Sequence, residues 1–201
     1  MQPDFGKLRL PHPLMRGVMT HHKMNMKRIS LIICLLVFPT LVISGWQDRD
    51  GNPLPETHDR KSTGDFGAWL ILTAKEDETI DVWNTPSEWV TIDTEESYKR
   101  NEFITALVVF SGCSEDSNGH CNLVVKFKII QPGGKLYADL PPQEAWIGKP
   151  SPGKAVQMSV SYVKVRIENH EPLGTYEVFA DVIDSNLGES LSLSSKFKVL
   201  E

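Results

Sequence analysis

Two cysteines, Cys113 and Cys121, are the residues in this chain whose type and spacing most directly predict a chemistry. They flank a polar stretch, SEDSNGH, in which Asn118 and Gly119 accept positive φ and permit a tight chain reversal. A redox-active pair would be expected to have a Cys-x-x-Cys spacing next to a helix start, and this pair has neither. A pair of cysteines in an oxidising compartment forms a disulfide by default. We therefore predict a disulfide between Cys113 and Cys121 across a loop that joins two strands.

The same loop offers too few ligands for a metal ion. Zinc needs two ligands beyond the cysteines, and His120 supplies only one, while His58 and His170 have no sequence reason to converge on it. Four residues resemble the front of a calcium-binding loop: Ser114, Asp116, Asn118 and Gly119. The twelfth position of that loop would be Val125, where a glutamate is required. The sequence predicts no metal site and no cofactor.

Motifs of known catalytic sites are missing from the sequence. It contains no G-x-S-x-G, H-E-x-x-H or P-loop pattern. Glu76, Asp77 and Glu78 are consecutive acids, a pattern that fits a solvated run of charge. We predict that the protein is not an enzyme.

Three tryptophans are candidate binding residues. Trp83 and Trp89 lie in the stretch WNTPSEW, and Trp146 lies in PPQEAWIGKP. Exposed indoles would stack on sugar rings or anchor a protein partner, because tryptophan offers a large contact area at low entropic cost. The alternative is that all three indoles cover the open end of a folded domain.

The N-terminal region predicts export. A basic start at Lys27 and Arg28 is followed by an apolar run from Ile29 to Ile43, which is shorter than the ~20 residues that a membrane-spanning helix needs. Small residues before Gly45 favour cleavage after Ser44, so residues 24–44 are predicted to be a signal peptide. Its removal would also take Cys34 and leave one cysteine pair. Residues 1–23 have no apolar period, and we interpret them as an upstream artefact or a disordered extension.

Charge and composition divide the remaining chain. Residues 45–64 are rich in glycine, proline and charge, and predict a flexible leader. Residues 65–201 are enough for one domain with a core. Residues 45–201 carry 15 basic and 25 acidic side chains, a balance that repels phosphate backbones and predicts no nucleic-acid partner.

Alternating apolar residues dominate the domain. The stretches LVVKFKII, TYEVFADVID and LSLSSKFKV each place apolar residues on one face, and each predicts a half-buried strand. FGAWLILTA and FITALVVF are apolar on both faces and predict central strands. The alternation from Val156 to Ile167 changes phase near Tyr162, which predicts a bulge or a switch between sheets. With turn sequences between the strands and no amphipathic helix of about twelve residues, the pattern predicts an all-β, two-sheet antiparallel sandwich.

The stretch EPLGTYEVFADVID resembles the immunoglobulin-like superfamily. Gly174, followed two residues later by Tyr176 at the start of a strand, is similar to a tyrosine corner. This stretch and the terminal Phe-Lys-Val resemble the last hairpin of bacterial secreted or periplasmic immunoglobulin-like domains. Val178 stands where antibody domains carry the second core cysteine, and no tryptophan follows Cys121 in its strand.

Together these features predict an exported binding or assembly module of the bacterial envelope, periplasmic or secreted. Its partner would be a protein that the sequence does not identify. The alternative is a carbohydrate-binding module that uses exposed tryptophans. Any membrane contact would be through an uncleaved signal segment.

Overall fold

A computed structural model describes residues 8–9, 46–47, 52–85, 89–90 and 92–201. Signal cleavage and the interpretation of most of residues 1–45 lie outside these residues. The described residues form one helix, α1 (Glu76–Asn84), and thirteen strands: β1 (Leu8–Arg9), β2 (Arg60–Thr63), β3 (Phe66–Thr73), β4 (Trp89–Val90), β5 (Ser97–Lys99), β6 (Phe103–Ser111), β7 (His120–Ile130), β8 (Leu136–Asp139), β9 (Gln143–Pro150), β10 (Gln157–Met158), β11 (Val163–Arg166), β12 (Gly174–Asp184) and β13 (Glu189–Leu200).

Two sheets form the domain, as the sequence predicts. Sheet 1 has the order β2-β3-β6, and both β10 and β11 pair with the far edge of β6. Sheet 2 has the order β5-β13-β12-β7, and both β8 and β9 pair with the far edge of β7. All pairs are antiparallel except the pair of β5 with β13. This arrangement, with β7, β12 and β13 adjacent, is that of an immunoglobulin-like sandwich.

The main core lies between the two sheets and follows the predicted alternation. In β7 the buried positions are Leu123, Val125, Phe127 and Ile129. In β12 they include Tyr176, Val178, Ala180 and Val182. Apolar side chains of β3 and β6 complete the core from sheet 1. Burial of these faces is what holds the two sheets together.

A second apolar cluster covers the outer face of sheet 1. Ile71, Leu107 and Val109 point out from β3 and β6 and are buried there. Trp46 is 7% exposed and lies against Gly67, where a Cβ atom would come within 3.1 Å of the indole nitrogen. Its indole N–H donates to the Lys61 carbonyl at 3.2 Å. The predicted burial of both faces of β3 and β6 is therefore confirmed.

Part of the segment predicted to be a flexible leader is folded. Residues 60–63 form β2, which pairs with β3 in the register Arg60↔Trp69 to Thr63↔Phe66. Arg60 is buried, and its guanidinium lies 5.1 Å from the Trp69 ring centroid. The sequence Arg-Lys-Ser-Thr has no apolar alternation, so its strand depends on this tertiary pairing. The sheet thus starts before Asp65.

Helix α1 begins at the predicted run of solvated charge. The three acidic side chains in its first turn stabilise the helix, because they lie at the positive end of its dipole. Glu76 is not solvated: its carboxylate contacts Lys164 Nζ at 2.7 Å and accepts from Thr105 Oγ1 at 2.9 Å. Burial raises the pKa of Glu76, but hydrogen bonds from Lys164, Thr105 and Tyr162 outweigh it and leave that pKa below its usual value.

The predicted phase change near Tyr162 falls between β10 and β11. Met158 pairs with Val109, and Val163 pairs with Ala106. Residues 159–162 therefore lie opposite only two residues of β6, 107 and 108. The extra length lets the N–H of Val160 donate to the Ala145 carbonyl of sheet 2 at 3.0 Å. This bulge therefore links the two sheets along one side of the sandwich.

Candidate binding pocket

A cavity of about 770 Å³ opens on the other side of the sandwich, between β3 of sheet 1 and β13 of sheet 2. Two backbone hydrogen bonds from β13 frame it. The N–H of Ser194 donates to the His58 carbonyl at 2.7 Å, and the N–H of Lys198 donates to the Glu96 carbonyl at 2.9 Å. Residues 57–59 and 94–96 form the two end walls.

Two features of the chain create this space. First, β2 ends its pairing with β3 at Trp69, so the edge of β3 after that residue has no neighbouring strand among the described residues. Secondly, Ser195 occupies an inward-facing position of β13, between Leu193 and Phe197, where the other inward positions carry large apolar side chains. A small side chain beside an uncovered strand edge leaves the gap between the sheets unfilled.

Backbone donors and acceptors face the pocket from both sheets. Ser194 and Lys198 direct their N–H groups away from β12, so Lys196, two residues from each, presents its N–H and C=O in the same direction. The N–H of Leu70 donates to the Asp59 carbonyl at 2.7 Å, which places the backbone groups of Leu72 on the same edge of β3. These groups of Lys196 and Leu72 have no backbone partner among the described residues.

The pocket floor is apolar, and Trp69 at its rim has side-chain partners of its own. Leu70, Leu72 and Phe197 are each at most 4% exposed and line the floor. Trp69 lies at the rim, and its indole N–H donates to Asp59 Oδ2 at 3.0 Å. The Arg60 guanidinium covers one side of that ring, and burial lowers the pKa of Arg60 against the opposing effect of Asp59. The Trp69 ring also packs on the outer cluster of sheet 1, edge-on to Trp46.

Acidic groups outnumber basic groups around the pocket. The charged lining residues are Asp59, Glu95, Glu96, Glu177, Lys196 and Lys198. Glu177 and Lys196 form an ion pair at 3.7 Å. Among the lining residues three carboxylates therefore remain against one ammonium group, and one of the three, Asp59, interacts with the Arg60 guanidinium behind Trp69.

The three predicted tryptophans are not among the residues that line this pocket. Trp83 lies on α1 and is half-buried against the outer cluster of sheet 1. Trp146 packs edge-on against Phe110 at 5.7 Å, and its indole N–H donates to the Pro150 carbonyl at 3.1 Å. Lys149 Nζ lies 4.6 Å from the Trp146 ring centroid. Trp89 lies in β4, and its side chain is outside the description.

Sequence reasoning missed the pocket, although one indication of it was present. The inward positions of β13 read Leu191, Leu193, Ser195, Phe197 and Val199, and the serine interrupts an apolar series. Such an interruption shows where a core position is small. It does not show that the facing strand edge is uncovered, which depends on the length of β2.

The predicted disulfide between Cys113 and Cys121 is confirmed, with a Cα–Cα distance of 5.9 Å. Both cysteines are buried. Asp116 Oδ1 accepts hydrogen bonds from the N–H groups of Asn118 and His120, and these bonds lower the pKa of Asp116. The side chain of Asn186, in the β12–β13 turn, donates to the carbonyls of Ser114 and His120. The loop is therefore held both by the disulfide and by the neighbouring turn.

Replacing both cysteines by serine is expected to lower the free energy of unfolding by about 2.6 kcal/mol, because the crosslink closes a nine-residue ring in the unfolded chain. Urea denaturation of Cys113→Ser/Cys121→Ser beside the oxidised wild type measures this loss. A loss below about 1 kcal/mol would contradict the prediction and assign the loop's order to the Asp116 and Asn186 hydrogen bonds.

Gly174 and Tyr176 have the geometry expected of a tyrosine corner. The Tyr176 hydroxyl donates to the Pro172 carbonyl at 2.8 Å, and the buried Tyr176 ring stacks on Phe197 with centroids 5.3 Å apart. Burial raises the pKa of the Tyr176 hydroxyl. Gly174 has φ 126°, and a Cβ atom there would meet Pro132 at 3.1 Å. This corner fixes the start of β12 and, through Phe197, the part of β13 that lines the pocket.

In the described part of the chain, no three His, Cys, Asp or Glu side chains are grouped to hold a metal ion. Its single helix, α1, is too short and too polar to cross a bilayer.

Neither a protein-family model nor a curated protein matches this sequence. Solved structures with a similar chain path include a Niemann-Pick type C2 protein from the Japanese carpenter ant, at 11% identity over 65% of this chain and 89% of that one, with a TM-score of 0.36. The CARDB domain of a Pyrococcus furiosus protein is 12% identical over 73% of this chain and 100% of that one, with a TM-score of 0.35. A family 123 glycoside hydrolase from Clostridium perfringens is 11% identical over 67% of this chain, with a TM-score of 0.33, and the chain spans 27% of its length. None of these likenesses assigns a family or a function to this protein.

Proposed function

We propose that this protein is an exported, non-catalytic binding module of the bacterial envelope, and that its pocket receives a short extended segment of a partner protein. The observation that carries the proposal is the pair of outward-facing backbone sites at Lys196 and Leu72, which flank an apolar floor. An extended peptide supplies an N–H and a C=O at alternate residues, and so complements such an edge.

The dimensions of the pocket favour a short segment. Its two framing hydrogen bonds lie four residues apart on β13, at Ser194 and Lys198, which corresponds to roughly 13 Å of strand. About three residues of an extended ligand fit between them. The cavity volume also falls within the range of sites that bury most of a small ligand.

Export is supported by the disulfide. Cys113 and Cys121 form a stable crosslink only where the surroundings are oxidising, as in a periplasm or outside the cell. Binding is supported by the pocket lining, where the apolar floor and the backbone sites offer recognition by packing and by main-chain hydrogen bonds.

A carbohydrate ligand is the alternative outcome. Sugars stack on an exposed aromatic face, and the tryptophan at this pocket, Trp69, has Arg60 over its ring and Trp46 packed 6.1 Å away at 70°. The structure therefore favours the peptide.

Filling the pocket is expected to block binding and to stabilise the domain. In Ser195→Leu, the new side chain occupies the inward position between Leu193 and Phe197. Cavity filling of this kind typically adds about 1 kcal/mol to the free energy of unfolding, measured here by urea denaturation. A phage-displayed library of random octapeptides, selected on the full-length protein, should yield clones that bind wild type and fail to bind Ser195→Leu.

The matched control is Ser192→Leu, which adds the same side chain to an exposed position of the same strand. It should leave stability within about 0.5 kcal/mol and retain the selected clones. The proposed function is wrong if no clone distinguishes wild type from Ser195→Leu while both proteins are folded. Competition of clones by soluble oligosaccharides, but not by their own synthetic peptides, would favour the carbohydrate.

A further inference from the structure

The charged side chains at the rim of the pocket indicate the charge of its ligand, which the apolar floor does not. Asp59 lies at one end wall, and Glu95 and Glu96 form part of the other. Glu95 and Glu96 are exposed. With Glu177 paired to Lys196, and Asp59 next to the Arg60 guanidinium, the excess of carboxylates lies at the end wall with Glu95 and Glu96, and Lys198 is the remaining cation of the lining. The excess of carboxylates is therefore located where one end of a bound segment would leave the pocket.

Resting on the proposed function, we infer that the partner segment is basic: an extended peptide with an apolar residue that faces the floor and lysine or arginine next to it. Successive side chains of an extended chain point in opposite directions. When one contacts Leu70, Leu72 and Phe197, its neighbours point towards the solvent-exposed rim, where the carboxylates are. Glu95 and Glu96 would then meet the basic side chains.

The net charge of residues 45–201 acts in the same direction. Residues 45–201 carry ten more acidic than basic side chains, so their field attracts a cationic segment and repels an acidic one. That general attraction would act equally at any part of the surface. Specific selection by the rim must depend on Glu95 and Glu96 more than on acids elsewhere.

Two glutamates far from the pocket provide a control for the general field. Glu115 lies in the disulfide loop and Glu189 at the opposite end of β13, and both are exposed. Neither lines the pocket. Glu115→Gln/Glu189→Gln removes the same net charge as Glu95→Gln/Glu96→Gln and leaves the rim intact.

The test uses synthetic peptides made from the octapeptide clones that bind wild type and not Ser195→Leu. We expect these peptides to be enriched in lysine and arginine next to apolar residues. Their affinity should fall about five-fold for Glu95→Gln/Glu96→Gln at low salt, as expected for two exposed ion pairs, and stay within two-fold for Glu115→Gln/Glu189→Gln. Since surface charges are screened over about 10 Å at 0.1 M salt, the five-fold difference should shrink as salt is added.

Three outcomes are distinguishable. Clones that require the pocket but are neutral or acidic would overturn the inference and leave the proposed function standing. Basic clones whose affinity falls equally in both double variants would also overturn it, because the general field would then account for the preference. If no clone that binds wild type loses binding in Ser195→Leu, the proposed function itself is overturned.

Discussion

Replacing Gly112 with alanine is expected to lower the free energy of unfolding by about 4 kcal/mol, a large share of the stability of an ordinary domain. Gly112 has φ 68°, in the left-handed region, and its N–H donates to the Gly153 carbonyl at 2.8 Å. A Cβ atom built on Gly112 would overlap the backbone carbonyl of Asp65. Backbone strain and steric overlap therefore add, and neither can be relieved by a side-chain rotation.

Gly64→Ala separates these two contributions. Gly64 has φ 56°, close to that of Gly112, but a Cβ atom there would meet nothing within 4 Å. Its substitution should cost only the left-handed strain, about 1 kcal/mol. Both losses are measured by urea denaturation of the oxidised proteins. Equal losses at the two positions would contradict the prediction, since they would show that the contact with Asp65 is relieved by movement of the chain.

The strands with period-two alternation were the part of the fold that the sequence predicted best. In β7 and β12 the buried side chains fall on one face and the more exposed ones on the other, because burial between two sheets is decided residue by residue along each strand. β2 could not be predicted in this way. Its Arg60 is buried through contacts with Trp69 and the Pro55 carbonyl, which belong to other parts of the chain.

Helix α1 was missed for a related reason. It has nine residues, no side-chain N-cap and only one buried residue, Thr79, so its own sequence gives a weak helical pattern. Contacts of Glu76 with Lys164 and Thr105 fix it against sheet 1. The pocket depends on relations of the same kind: the length of β2, the position of Ser195 and the path of residues 94–96 meet only in the folded chain.

Replacing Asp184 with alanine is expected to lower the free energy of unfolding by about 3 kcal/mol, because backbone donors would lose their acceptor. Asp184 is fully buried at the end of β12. Its Oδ2 accepts from the N–H of Ser114 at 2.7 Å, and its Oδ1 accepts from the N–H groups of Asn186 and Leu187 at 3.0 and 3.2 Å. The control is Asp181→Ala on the same strand, which removes one exposed hydrogen bond to Ser192 and should cost less than about 0.5 kcal/mol.

A double-mutant cycle tests whether Asp184 and the disulfide hold the same loop. Asp184 binds the N–H of Ser114, the residue next to Cys113, so both anchors restrain one end of the loop. Once Cys113 and Cys121 are serines, the freed loop can turn the Ser114 N–H towards water, and the loss of Asp184 should then cost about 1 kcal/mol less. Strict additivity of the two losses in urea denaturation would contradict this coupling. It would mean that the β12–β13 turn, through Asn186 and Leu187, accounts for the whole contribution of Asp184.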